Sequence, residues 1–431
     1  MEKLYKLQIS EIIRTFKTEG LGFLMICLYL FFEYVRPQSI YPAIDILPWS
    51  QLTIIFSILA IGFNLNNIKI PGNPVNKLLN IYALIVILSS IFSLNQEASL
   101  NSLGSFFSWF LIYYLIIILV NNKKRFFLFL FIFLLFSFKM SQHGALSWAL
   151  RGFQFRSWGV TGAPGWFHNS GEVGIQMCIF VPLAVAFIFS IHKHLSKLWF
   201  YILTLMPITG IGTIIASSSR GALLGLALAC LRPLLTSKKL FIYTIIFYII
   251  SSIVVIELIP EESKERFQAS GEDRTSLHRL ERWEDGIEAM NRYPFLGVGF
   301  NAWPEYYDSF IYDLEDQGTL LVHNIFVQCG SELGYSGLIV FIFMIIGCFH
   351  LTSKIRKYNG DDRFNRFMSY GFDAALLGFL ASGFFVTVLY YPYFWIHAAL
   401  TVSFYNTARQ TVKSETQKEK EIVNKRARYF Q

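Results

Sequence analysis

Apolar residues come in long blocks separated by short polar stretches. Leu21–Phe32, Thr53–Phe63, Ile81–Leu94, Phe110–Val120 and Phe126–Phe138 open the series, and Phe180–Ser190, Leu240–Ile256, Leu338–Phe349 and Ala374–Leu389 continue it. With weakly polar flanks each block reaches roughly 17–25 residues, the length of a helix that crosses a bilayer. The alternation of period two that a membrane β-barrel requires is absent. The pattern predicts an all-α polytopic membrane protein, one multispanning domain over residues 1–431 with about twelve transmembrane helices. They are placed near 19–35, 46–63, 76–94, 103–120, 125–140, 171–191, 198–217, 220–236, 239–257, 323–352, 371–389 and 393–408.

Composition agrees with the pattern. Of 431 residues, 54% are hydrophobic and 15% charged, against roughly 25% charged in soluble domains. The first block follows a polar stretch and lacks a small-residue cleavage site, so it is expected to stay as an anchor. Cys27, Cys178, Cys230, Cys329 and Cys348 show no paired spacing, which argues against a disulfide framework or a metal site.

The net charge of +8 is unevenly spread. Basic residues gather at Lys3–Lys17, Asn121–Arg125, His192–Lys197, Lys238–Lys239, Lys354–Arg366 and in the tail 409–431. An even number of spans puts both termini and all these clusters in the cytoplasm, as the positive-inside rule requires. The charge is thus a topology signal. No basic patch interleaves with aromatic residues, and nucleic acid is not an expected partner. The same topology puts Ser141–Ser170 and the long polar loop 259–322, between spans nine and ten, on the outer face. Loops of that length usually carry function.

Within the long loop, Leu277, Leu280, Trp283, Ile287 and Met290 recur at helical spacing, which predicts an amphipathic helix over Ser276–Asn291 capped by Thr275 or Ser276. Asp313–Gln317 reads as an acidic turn.

Three constellations fall on the outer face. In Ser217-Ser-Ser-Arg220-Gly-Ala-Leu-Leu-Gly225 an arginine stands where a loop meets a span. Its planar, permanently charged donor fork suits a diphosphate, and snorkelling to lipid headgroups is the alternative. Arg279, with Arg282 and Trp283 beside it and Gly297 and Gly299 beyond, offers a second cation or simply a solvated helix face. His323-Asn324 stands where the loop re-enters the membrane. Its imidazole can take a proton from a hydroxyl, with Asn324 orienting it or holding a sugar hydroxyl, or the pair can merely cap a helix. Two arginines and a histidine on one face suit attack on a sugar linked to a lipid diphosphate: the arginines hold the leaving group and the histidine activates the acceptor. A fourth segment, Pro164–Glu172, carries His168, Asn169 and Glu172 as candidate sugar contacts, with an interfacial anchor as the alternative. Glu33 and Arg36, three apart, read as a local ion pair.

These motifs resemble the O-antigen ligase/polymerase superfamily. The resemblance rests on Ser-Ser-Arg220-Gly-Ala, on Arg279-x-x-x-Trp283, on Tyr293-Pro-Phe-Leu-Gly-Val-Gly299, and on His323-Asn324 followed by Gly334. It covers about 167–337, while Glu33-Tyr-Val-Arg-Pro-Gln38 lies outside the pattern. The resemblance implies a large multispanning, GT-C-like glycosyltransferase of the bacterial inner membrane. Its long periplasmic loop would contain amphipathic helices, and both termini would be cytoplasmic. It implies an undecaprenyl-diphosphate-linked glycan as donor, no cofactor and no metal. The acceptor would be lipid A-core, a lipid-linked repeat unit or a protein hydroxyl. Arg220 and Arg279 would bind diphosphate and His323 would assist the acceptor. Substrate contacts are expected from Asn324, Arg282, Trp283, His168, Asn169 and Glu172. Ligase, polymerase and protein O-oligosaccharyltransferase stay open. A transporter or flippase is the rival of another class; it would use midplane charges such as Glu332, with Asp373 and Glu257 nearer span ends. A non-catalytic assembly protein is the third reading.

Overall fold

The computed structural model describes residues 1–63, 70–154, 159–234, 274–311, 321–359 and 362–429. Every predicted span folds as helix except the ninth, at 239–257, which lies outside the described residues together with the acidic turn at 313–317. Leaving out pieces of about one turn, the helices open with α1 (Ile9–Thr18), α2 (Leu21–Leu30), α3 (Trp49–Gly62), α4 (Pro74–Ile91), α5 (Gln96–Leu119), α6 (Lys123–Leu150) and α7 (Ser170–Ile191). They are followed by α8 (Lys197–Ala216), α9 (Arg220–Leu234), α10 (Arg274–Arg292), α11 (Trp303–Phe310), α12 (Ile325–Asn359), α13 (Arg363–Gly383) and α14 (Pro392–Tyr429). The protein is an all-α polytopic membrane protein. Among the described residues 7 helices are long and apolar enough to cross a membrane, or 8 if the pair Ile9–Thr18 and Leu21–Ile40, bent by 119°, is one span. That measure leaves out α9 and α13, although both pack along the buried helix α7.

Small residues bring these three helices together. A Cβ on Gly371 would stand 2.4 Å from Ala186, and one on Gly378 would stand 2.7 Å from the Cys178 carbonyl oxygen. Close backbone approach of this kind is how helices associate where lipid removes the hydrophobic drive between them. Aromatic rings fill the remaining space, with Phe126 stacked on Phe404 at 5.0 Å and Phe131 on Phe187 at 5.7 Å.

The basic clusters assigned to one side meet at one end of the bundle. Arg125 pairs with Glu19 at 2.7 Å, and Arg363 Nε donates to the Phe189 carbonyl at 2.9 Å. Tyr5 stacks on Phe364 there. The motifs assigned to the other side meet at the opposite end.

Four boundaries differ from the sequence reading. α6 continues to Leu150, ten residues past the predicted end at 140, so the outer segment Ser141–Ser170 begins as helix. Hydropathy falls after Met140, but Ser141 and Gly144 pack against Thr209 and Thr213 of α8 and hold the helix together. α13 ends at Gly383, not 389. The run after it is just as apolar, so hydropathy misses the change. Pro392, however, disfavours helix at Tyr391. α10 starts at Arg274, so Thr275 and Ser276 lie inside the first turn and are not its caps. The tail after Arg409, expected as a mobile helix or disordered beyond a span ending at 408, continues α14 as helix to Tyr429.

Asp373 is 1% exposed and joins three helices. Its carboxylate accepts from Arg232 of α9 at 2.9 Å, from Arg356 of α12 at 2.8 Å, and from the Thr352 hydroxyl. Removing the carboxylate leaves two partly buried guanidinium groups facing each other. Asp373→Ala is expected to destabilise the bundle by about 3–5 kcal/mol, as for other broken buried ion pairs. Thermal unfolding in detergent reads this as a lowered midpoint, and an unchanged midpoint contradicts it.

Candidate functional site

Arg220 is the first residue of α9. The chain reaches it through Ser217–Ser219, with Ser218 in a left-handed conformation (φ 53°). The Ser219 hydroxyl caps the helix by accepting from the Ala222 N–H at 3.3 Å. The glycines that follow hold the helix start against α13. A Cβ on Gly225 would lie 1.9 Å from the Ser382 hydroxyl, and one on Gly221 would lie 3.2 Å from Phe385. Arg220 is half-buried at the mouth of this packing.

α10 crosses the same end of the bundle. Its inner side carries Arg279, Arg282, Trp283 and Gly286, at helical spacing. The Trp283 indole N–H donates to the Val322 carbonyl at 2.9 Å, and its ring meets Phe384 edge-on at 5.2 Å. A Cβ on Gly286 would stand 2.4 Å from Val327, so α10 lies directly on the start of α12. Arg282 is 4% exposed. It lies over the Tyr307 ring at 4.3 Å and 3.7 Å from Asp285, inside the small core that joins α10 to α11. Those contacts make Arg282 part of the loop's own packing.

His323 stands just before α12 in a left-handed conformation (φ 50°). Its backbone N–H donates to the Thr387 hydroxyl at 2.8 Å. Burial, then the nearby Arg279 charge, pushes its imidazole down to about 4. Both effects disfavour the cation, so the ring is neutral at pH 7. The structure thus brings Arg279 and His323 into electrostatic contact, 44 residues apart in the sequence. Asn324 is 1% exposed, and its Oδ1 accepts from the Phe326 and Val327 N–H groups at 2.9 and 3.3 Å. Its oxygen is therefore the cap of α12.

Behind the histidine, α12 is broken at Gly334 (φ 68°, ψ −174°). The break frees carbonyls that a helix would use internally, and the Tyr293–Gly299 segment takes them. Val298 N–H donates to the Ser331 carbonyl at 2.8 Å, Gly299 N–H to Glu332 at 3.3 Å, and Tyr335 N–H to Pro294 at 2.8 Å. The Ser89 hydroxyl of α4 reaches both the Leu296 and Glu332 carbonyls. The Glu332 carboxylate itself is 2% exposed and faces Tyr390 and the backbone N–H groups of Asn301 and Trp303. Gly297 and Gly334 are thus required by backbone-to-backbone contact, and Gly299 by the Ser93 and Ser99 side chains.

The fourth segment arrives on the same end. Asn169 and Glu172 form a reciprocal cap at the start of α7, with Asn169 N–H donating to Glu172 at 2.9 Å. His168 is exposed. Trp166 meets Tyr391 edge-on at 4.8 Å, and Tyr393 donates to the Trp166 and Glu172 carbonyls at 2.7 and 3.1 Å. Glu33 feels the charge of Arg36 without the close ion pair that the spacing suggested, and its carboxylate meets Trp166 and Ser50. The Arg36 guanidinium lies against Gly165, where a Cβ would be 2.5 Å from Cζ.

All these pieces touch one short link, residues 384–391 between α13 and α14. Phe385 meets the turn after Arg220, Phe384 meets Trp283, Thr387 holds His323, and Tyr391 meets Trp166. The sequence reading placed most of this link inside a span and gave it no role. Gly383, Thr387 and Pro392 were the signals available within an otherwise apolar run.

Residues 205–342 match the O-antigen ligase family model, and that match contains Arg220, Arg279 and His323. The chain is 25% identical over 229 residues to the exopolysaccharide production protein ExoQ of Rhizobium meliloti (strain 1021), covering 46% of this chain and 48% of that protein. It therefore spans about half the length of that relative. A solved structure titled "Structural coordination of polymerization and crosslinking by a peptidoglycan synthase complex" aligns over 78% of this chain and 97% of its own, at 13% identity and a TM-score of 0.40. The three motifs thus lie inside the segment over which the chain is similar to the O-antigen ligase family.

Proposed function

We propose that the protein transfers a glycan from an undecaprenyl-diphosphate-linked donor to an acceptor hydroxyl at the periplasmic face of the bacterial inner membrane. The family match and the exopolysaccharide relative support a role in cell-surface polysaccharide biosynthesis. The observation that carries the finer reading is that one segment, 384–391, holds both the half-buried His323, which feels the Arg279 charge, and the capped start of α9, where Arg220 stands. A helix start attracts anions, and an arginine on it with a second at the same end of the bundle suits a diphosphate. Arg220 and Arg279 hold the diphosphate and stabilise the charge that grows on it as the glycosidic bond breaks, an effect worth several kcal/mol in a water-poor site. His323 takes the proton of the acceptor hydroxyl as that oxygen bonds to the sugar. Trp283, Asn324, Arg282, His168, Asn169 and Glu172 shape the surroundings. Trp283, Asn324 and Arg282 contribute packing and capping, Asn169 and Glu172 cap α7, and His168 is exposed beside them.

The acceptor separates the members of the superfamily. The relative's name, an exopolysaccharide production protein, supports a polysaccharide product, and the acceptor assay divides lipid-linked repeat unit, lipid A-core and protein hydroxyl. The transporter reading draws less support. Asp373 is tied to two arginines, and Glu332 is taken up by the outer segment at 301–303. Deleting the gene in the source bacterium is expected to cause undecaprenyl-diphosphate-linked glycan to accumulate on the periplasmic side, read by mass spectrometry of lipid extracts after treatment with a hydrolase that cannot cross the membrane. Accumulation on the cytoplasmic side alone supports a flippase, and no accumulation contradicts the proposal.

A further inference from the structure

We infer that Thr387 is a positioning residue for the transfer reaction: it fixes the left-handed backbone of His323 and so aims the imidazole at the site. This inference rests on the proposed role of His323. A non-glycine residue at φ 50° is in a sparsely populated conformation that persists only where its surroundings hold it. Three consecutive positions are held here from three directions. The Val322 carbonyl accepts from Trp283 of α10 at 2.9 Å. The His323 N–H donates to Thr387 of the α13–α14 link at 2.8 Å. Asn324 caps α12 with its own side chain. Trp283 and Asn324 leave the histidine's own N–H unserved, and Thr387 is the group that takes it.

The link is suited to the task. It is braced where the Leu389 N–H donates to Gln328 of α12 at 3.2 Å, and Phe385 abuts Gly221 beside Arg220. Thr387 therefore ties the histidine to the same segment that supports the first arginine. An unbraced His323 would relax toward ordinary backbone angles and swing its ring away from Arg279. Small displacements of a reacting group lower the rate far more than they lower binding.

The test uses the full-length protein in proteoliposomes, with undecaprenyl-diphosphate-linked oligosaccharide extracted from cells that lack it. Thr387→Val keeps the shape and removes the acceptor. It is expected to lower kcat at least tenfold with little change in KM, and Thr387→Ser, which keeps the hydroxyl, is expected to recover most of the rate. The decisive arm is the double variant. In a His323→Ala background Thr387→Val should add no further loss, because its effect runs through the histidine. Additive losses, or a Thr387→Val enzyme as fast as wild type, overturn the inference. Full activity of His323→Ala alone overturns the proposed function instead, so the two failures are distinct. If Thr387→Val does not fold, Trp283→Phe removes the other brace and is read by the same cycle.

Discussion

Replacing His323 with alanine is expected to lower the transfer rate by roughly 10²–10⁴-fold, the usual contribution of a positioned general base. The change should leave the start of α12 intact, because its cap is the side chain of Asn324. The loss should therefore appear in kcat while the protein remains folded and donor still binds. The pH dependence carries a second signature. In the resting protein burial and Arg279 push the histidine down to about 4, against an ordinary value near 6.5. The free base is the active form, so activity is retained through the neutral range and is lost as pH falls through about 4. A base that weak is a poor proton acceptor. A bound diphosphate would place negative charge beside Arg279 and the imidazole, offset the arginine and raise the histidine. The acid limb of kcat, which reports the complex, should then lie above the acid limb of kcat/KM, which reports the free protein. Coincident limbs near 6.5 would contradict this account of the site.

Gly297→Ala is expected to be the most damaging small substitution in the outer segment. Gly297 has φ 67°, and a Cβ there would lie 2.3 Å from the Glu332 carbonyl carbon and 2.5 Å from the Leu333 nitrogen. Both are backbone atoms of α12 beside its break, so no side-chain rotation can relieve the overlap. The segment must lift off the carbonyls that Val298 and Gly299 satisfy, leaving buried polar groups without partners. The expected loss is ~4 kcal/mol or more, among the largest that single substitutions produce. Gly104→Ala is the control. It lies within α5, and a Cβ there meets nothing within 4 Å, so the change should be neutral or stabilise by up to ~1 kcal/mol. Comparable losses for the two, measured by thermal unfolding in detergent, would contradict the assigned role of the Gly-Val-Gly turn.

Much of the helix order was legible because hydropathy dictates it. Length and apolarity decide whether a segment can span, and charge asymmetry sorts the loops into two sets, which the fold brings to opposite ends. Arg220, Arg279 and His323 were legible as chemical types at a predicted boundary. Their setting was not. The link at 384–391 is as apolar as the helix before it, and only its contacts with four distant segments give it importance. Asn169, Glu172 and Asn324 were read as candidate sugar contacts with capping or anchoring as the alternative, and the fold uses the Asn169–Glu172 pair and the Asn324 oxygen in helix caps. Local capping and ligand binding use the same residue types, so sequence alone cannot divide them. Gly334 was read as the end of a spacing pattern, and its left-handed break of α12 became visible only with the carbonyls that Val298 and Gly299 occupy.

The most direct test of the central claim is transfer by the purified protein in proteoliposomes. The donor is labelled undecaprenyl-diphosphate-linked oligosaccharide, and lipid-linked repeat units, lipid A-core and protein are offered separately as acceptors. The account predicts that label moves to one of the three acceptors with release of undecaprenyl diphosphate, and that Arg220→Ala, Arg279→Ala and His323→Ala each abolish most of that movement in correctly inserted protein. Transfer undiminished in all three variants, or no transfer by wild type to any acceptor, would contradict it.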